Sequence, residues 1–282
     1  MIIHLIRDLN KHLKSVPIAL KLVIYFVLLG PGILLAHNLK KFDTLVKSAG
    51  LAKAAEWLLK KYGVKKELIG SPIPASGPVL VVCNHPGVFD GTALCSELPR
   101  NDVKIVADGT AFFVALPNLA SHLILVQPGD PKMRAITMLK ALRVLKGGEM
   151  LLLFGRGIDD EPDPKFTDAA RDVLRAWPAA VGTLVLGAQE EGFRFTILPV
   201  LISNVFSKRA ERNPLLSKIP EGNTRELVDR LYVLLRGGED GQTLKLKVGN
   251  LLDSVELAKI SEDPAKLSEV VRDRLRELRD SA

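Results

Sequence analysis

From residue 78 onward the chain repeats one pattern. A short apolar run is followed by a polar or glycine-rich break, and then by a stretch with helical spacing. The apolar runs cover residues 78–83, 103–107, 123–126, 150–154 and 193–202, with a later one at 244–248. The helical stretches cover 91–98, 111–121, 132–145, 167–188, 224–235 and 265–280. Strands alternating with helices predict an α/β domain built on a mostly parallel central sheet flanked by helices. Ligands of such sheets gather outside the carboxyl ends of the strands, so the loops that follow the strands are where function is expected.

The first 72 residues read differently. Residues 1–14 place Ile2, Ile6, Leu9 and Leu13 on one helical stripe and Arg7, Lys11 and Lys14 on another, which predicts a basic amphipathic helix. Residues 16–36 are apolar and long enough to cross a bilayer, but Lys21 interrupts them and Gly30-Pro31-Gly32 is expected to break a helix. Three readings fit this segment: a helix or broken helix pair dipping into one leaflet, a buried hairpin, and a true span or signal. Residues 43–66 read as further helix, and 70–74 (GSPIP) as a linker. The expected organisation is a helical, membrane-associating segment over 1–72 and an α/β domain over 73–282.

Charge supports that division. The chain of 282 residues carries a net charge of +7, and residues 1–72 hold 12 Lys and Arg against 4 Asp and Glu. The basic excess therefore lies in the most apolar quarter, which suits an anionic membrane surface better than a nucleic acid. Only Cys83 and Cys95 are present, too few for a disulfide framework or a cysteine-based zinc site, and consistent with a reducing compartment. The expected location is the cytoplasmic face of a membrane.

The first strand of the α/β part runs into VVCNHPGVFDG, residues 81–91. His85 and Asp90 are five positions apart, which puts them on different faces of a helix and opposite faces of a strand. They can meet only on a loop that folds back, and Pro86-Gly87 is suitable turn chemistry. A histidine held by a carboxylate can take a proton from a hydroxyl and return it later. The alternative is that Asp90 caps the following helix and His85 is an ordinary loop residue.

The succession of strand, N-H-x-x-x-x-D-G and helix resembles block I of the glycerolphosphate acyltransferase family, of the lysophosphatidic acid acyltransferase type. The resemblance extends over about residues 75–205. It implies transfer of a fatty acyl group from a coenzyme A or acyl-carrier-protein thioester to a lipid hydroxyl, with His85 as base and Asp90 orienting it. It implies neither a metal nor a cofactor beyond the acyl donor. Residues 195–200 (FTILPV) resemble the family's fourth block, an apolar strand with a proline. The second block normally ends in arginine, where this chain has Gln127, and the third reads F-P-E-G where this chain has Phe154-Gly155-Arg156-Gly157. Asp159 replaces a further arginine. The resemblance thus implies a competent relative with an altered acceptor site, or else a noncatalytic membrane-associated lipid- or acyl-binding protein on the same scaffold, with Asn84, Gly87, Gly91, Gln127, Gly155, Arg156 and Gly157 as substrate-binding residues.

Other residues have plainer readings. Cys83, two positions before His85, could form a nucleophilic pair with it, but a small apolar residue ending a buried strand is the commoner role of a free cysteine. Asp159, Asp160, Glu161 and Asp163 make an acidic loop. Arg156, between two glycines, could contact phosphate, and Lys132 and Arg134 read as a solvated helix face. His122 reads as structural and Phe112-Phe113 as core.

Overall fold

A computed structural model describes residues 18–87, 89–108, 113, 115–126, 131–155, 177–205 and 243–280. The chain enters on two helices, α1 (Ile18–Ala49) and α2 (Leu51–Lys61), separated by Gly50 at φ +89°. There follow β1 (Lys65–Gly70), β2 (Val79–Cys83), α3 (Asp90–Glu97), β3 (Val103–Asp108), α4 (Pro117–Ala120), β4 (Leu123–Val126), α5 (Pro131–Lys146) and β5 (Met150–Phe154). Then come α6 (Ala180–Glu190), β6 (Thr196–Ser203), β7 (Thr243–Val248), β8 (Leu252–Asp253), α7 (Ser254–Ala258) and α8 (Pro264–Asp280).

The strands form one sheet in the order β1-β7-β6-β2-β5-β3-β4, with β8 pairing β6. From β6 through β2, β5 and β3 to β4 every pairing is parallel, while β7 and β8 run antiparallel to β6. The fold is therefore α/β with a mostly parallel sheet, as the alternation of apolar runs predicts. β2 is buried at every position because helices cover both of its faces. Val79, Val81 and Cys83 join Met150, Leu152 and Leu198 in a core beneath α1, α2 and α3. Leu80 and Val82 join Leu151, Leu153 and Ile197 in a second core beneath α5, α6 and α8.

The N-terminal part differs from the sequence reading in two respects. Residues 65–70, expected as helix end and linker, form β1, which pairs in parallel with β7 from Lys65↔Thr243 to Gly70↔Val248. This is a mostly exposed edge strand whose charged side chains conceal any alternation. The sheet therefore draws strands from both sides of the 72/73 division. In addition, α1 runs unbroken through Gly30-Pro31-Gly32. A proline removes one hydrogen bond from a helix, and 32 residues of continuing helix accommodate that loss here. Among the described residues no helix is long and apolar enough to cross a membrane.

Elsewhere the differences are shorter. Strand 193–202 begins at Thr196, where pairing with Val79 starts. Of the helix expected over 111–121, the described helical segment is α4, opened by Pro117 at its first turn. Of the helix expected over 167–188, the described helical part is α6 from Ala180, and Trp177-Pro178 before it are not helical, because proline disfavours helical backbone at the preceding residue. Residues 1–14, 167–176 and 224–235 lie outside the described residues.

Candidate functional site

The loop that matters leaves the carboxyl end of β2, the fourth of the seven strands in the sheet order β1-β7-β6-β2-β5-β3-β4. It is fixed first by Asn84, which is 2% exposed. The Asn84 side-chain amide donates to the Ile202 carbonyl at 2.8 Å, and the Ile202 N–H donates back to Asn84 Oδ1 at 2.7 Å. A carboxamide satisfied at both ends is at home in a buried position, where an unpaired polar group would be costly. Asn84 therefore bolts the loop to β6 and is not turned towards a ligand.

The chain then folds back at Pro86-Gly87 and brings His85 to Asp90. The imidazole Nδ1–H donates to Asp90 Oδ2 at 2.7 Å. The same oxygen accepts the Gly87 N–H at 2.9 Å, and Asp90 Oδ1 accepts the Gly91 N–H at 2.5 Å. Asp90 is wholly buried, and these three donors make that burial tolerable for a carboxylate. Phe89, not Asp90, occupies the cap position of α3, and no side-chain bond caps the helix. The Asp90 carboxylate is thus directed back into the loop, which is the orienting geometry and not the capping one.

The imidazole keeps 28% of its surface exposed, against 1% for the Asp90 side chain. One face of its ring lies on Phe154, the last residue of β5, with centroids 4.3 Å apart and planes inclined by 25°. Phe154 is in register with Cys83 on β2, so the strand pairing brings it beside the loop. Behind Asp90 lies Cys95 on α3, whose thiol is pushed up to about 12 by burial and by the neighbouring Asp90 charge. Cys83 is fully buried in the core beneath α1–α3, as a packing residue would be.

The glycines of the site are shaped by close approach. A Cβ on Gly87 would lie 2.2 Å from Val205, one on Gly91 3.2 Å from Phe154, and one on Gly155 2.3 Å from the Trp177 ring. The Gly155 N–H donates to the Cys83 carbonyl at 2.8 Å. The N–H groups of Gly87, Gly91 and Gly155, expected to face substrate, are all engaged inside the protein, because the loop needs them to hold its own carbonyl and carboxylate groups. Gln127, Arg156 and Gly157, together with the acidic residues at 159–163, lie outside the described residues.

The N-terminal helices reach this loop. The Tyr62 ring, just past α2, packs against Phe89 with centroids 5.4 Å apart, and Asn38 of α1 donates to the Tyr62 hydroxyl at 3.2 Å. Burial pushes the Tyr62 phenol up, with the Asn38 hydrogen bond acting the other way. Tyr62 did not stand out in the sequence as a site residue, and Phe154 stood out only as the first residue of the stretch that resembles the third block. That resemblance gives Phe154 no partner, and the β2–β5 pairing is what reveals its neighbour. His122 donates from Nδ1 to the Val103 carbonyl at 2.9 Å, and Phe113 packs on the core, both as structural residues. Lys132 and Arg134 lie exposed at the start of α5. Among the described residues no group of three or more His, Cys, Asp or Glu could hold a metal ion.

Comparison with known proteins gives a family. A solved structure similar to this chain is the 1-acyl-sn-glycerophosphate (LPA) acyltransferase PlsC from Thermotoga maritima, with 18% identity, a TM-score of 0.45, and coverage of 89% of this chain and 97% of that one. No curated protein matches the chain. The family model described as Acyltransferase matches residues 67–203, a stretch that runs from β1 to the end of β6 and contains the whole His85–Asp90 loop. Residues 67–203 are therefore an acyltransferase domain, of a kind similar to the glycerolphosphate and lysophosphatidate acyltransferases.

Proposed function

We propose that this protein transfers a fatty acyl group from an acyl thioester, acyl-CoA or acyl-carrier protein, to a hydroxyl of a phospholipid precursor or related lipid. The observation that carries the reading is the 2.7 Å contact between His85 Nδ1 and the buried Asp90 carboxylate, at the carboxyl end of the central strand. With Nδ1 committed to Asp90, Nε2 takes the acceptor's hydroxyl proton as the oxygen attacks the thioester carbonyl. The new C–O bond forms, the C–S bond breaks, and the departing thiolate receives the proton from Nε2. A thioester is already activated and its thiolate leaves readily, so a positioned base is sufficient chemistry for the step. The oxyanion needs donors other than the N–H groups of Gly87, Gly91 and Gly155, which are already engaged.

The basic, apolar N-terminal part is proposed to hold the protein on an anionic membrane surface, on the cytoplasmic side, where a lipid acceptor is found. The test is a screen of lipid extracts as acceptors with radiolabelled acyl-CoA and acyl-carrier protein, run beside His85→Ala. Labelled lipid product that disappears in the variant supports the reading. Binding of acyl chains without turnover would replace it with a noncatalytic lipid-binding role.

A further inference from the structure

The Asp90 hydrogen bond holds one atom of the imidazole and leaves a degree of freedom. Within the tolerance of that hydrogen bond the ring can still swivel about its own Cβ–Cγ bond, which tilts the ring plane and carries Nε2 away from an acceptor hydroxyl. In this structure the swivel is blocked by a second contact, the face of Phe154 at 4.3 Å and 25°. The contact is built in from both sides. Register with Cys83 places Phe154 at the end of β5 beside the loop, and Gly91 makes room for it, since a Cβ there would lie 3.2 Å from Phe154 Cζ.

We infer that Phe154 is a positioning residue for the base: its ring fixes the plane of the His85 imidazole and stabilises the imidazolium that forms as the acceptor's proton is taken. The inference rests on the proposed acyl transfer. An aromatic face carries negative charge density and attracts a cation above it. The interaction is therefore stronger with imidazolium than with neutral imidazole, so it favours the state in which His85 carries the acceptor's proton. The Asp90 carboxylate acts on His85 through the ring edge, at Nδ1. Cys95 behind it remains a neutral thiol at ordinary pH. The same contact accounts for the glycine that follows Asp90.

The sign follows from the charge state. A contact that favours imidazolium raises the pH at which His85 loses its proton, so removing it lowers that pH. The experiment compares Phe154→Leu with Phe154→Tyr. It reads the acid limb of kcat/KM against pH, and the titration of His85 by NMR in ring-labelled protein. The chain has five histidines, so the His85 signal is assigned by its loss in His85→Ala. Phe154→Leu should move both midpoints down by about half a pH unit and lower kcat about two- to fivefold with little change in KM. Phe154→Tyr, which keeps the face, should restore both, and thermal melts establish that each variant is folded. A His85 midpoint that is unchanged or raised in Phe154→Leu overturns the inference. The NMR titration needs no turnover, so it decides the ring contact even if the acyl-transfer assay fails and takes the proposed function with it.

Discussion

Asn84 and Ile202 exchange two hydrogen bonds, 2.8 Å and 2.7 Å long, between a side chain at the end of β2 and the backbone near the end of β6. They lie 118 residues apart in the chain, yet this pair decides where the loop carrying His85 begins. Removing the carboxamide leaves the N–H and C=O of Ile202 without it. Asn84→Ala is expected to cost about 1–3 kcal/mol in urea unfolding. It should also lower acyl transfer at least about tenfold, because a displaced loop loses its near-attack geometry. Asn84→Asp should do no better, since a carboxylate cannot donate to the Ile202 carbonyl.

His85→Ala should abolish transfer, by roughly 100-fold or more, with circular dichroism and melting temperature nearly unchanged. Asp90→Asn should approach the same loss for a different reason. Both carboxylate oxygens accept N–H groups, and an amide presents a donor in place of one of them. The Asn variant should therefore also be less stable than His85→Ala, a difference that parallel activity and urea titrations would detect.

Neither cysteine should serve as a nucleophile. Cys83 is fully buried, and burial together with Asp90 pushes the Cys95 thiol up to about 12. The native protein should resist iodoacetamide at neutral pH and keep its activity, and Cys83→Ser should retain transfer. Stoichiometric alkylation with loss of activity, or an inactive Cys83→Ser alongside a merely impaired His85→Ala, would point to a covalent acyl-enzyme instead.

Arg100 ties the opposite end of the sheet together. Its guanidinium donates to the Gly77 carbonyl at 2.6 Å, to the Gly148 carbonyl at 2.9 Å, and to Asp102 through two nitrogens. Arg100→Ala should cost about 1–3 kcal/mol of stability while leaving kcat per folded molecule unchanged, because these contacts lie at the ends of the strands away from His85. The Arg100 hydrogen bonds hold the Asp102 carboxyl below its ordinary value. A lowered carboxyl contributes stability above its unfolded value of 3.8 and loses it as pH falls through the lowered folded value. The acid arm of the stability curve in Arg100→Ala should therefore be shallower than in the unaltered protein. Asp102 is about half exposed, so the effect should be small and should weaken further in high salt.

Much of the fold was legible because the parallel strands are buried on both faces. Such strands must be apolar throughout, and the runs at 123–126 and 150–154 match β4 and β5 residue for residue. The edge strand β1 was not legible, because an edge facing water carries the Lys, Lys and Glu that also suit a helix. At the site, the His85–Asp90 meeting could be read from Pro86-Gly87, since only a fold-back satisfies the spacing. Tyr62 against Phe89 could not, because it joins α2 to the loop through side chains alone.

The sequence by itself determined the α/β class, the central strands, and the loop on which a histidine and an aspartate must converge. These follow from local rules: apolar continuity, turn chemistry and the two periodicities of the backbone. Tertiary structure decided the rest. It made Asn84 a bolt to β6, turned the N–H groups of Gly87, Gly91 and Gly155 inward, and slid the Phe154 ring under His85. None of these is a property of neighbouring residues. Each depends on which strands lie side by side, and that order is set only when the two faces of the sheet are buried together.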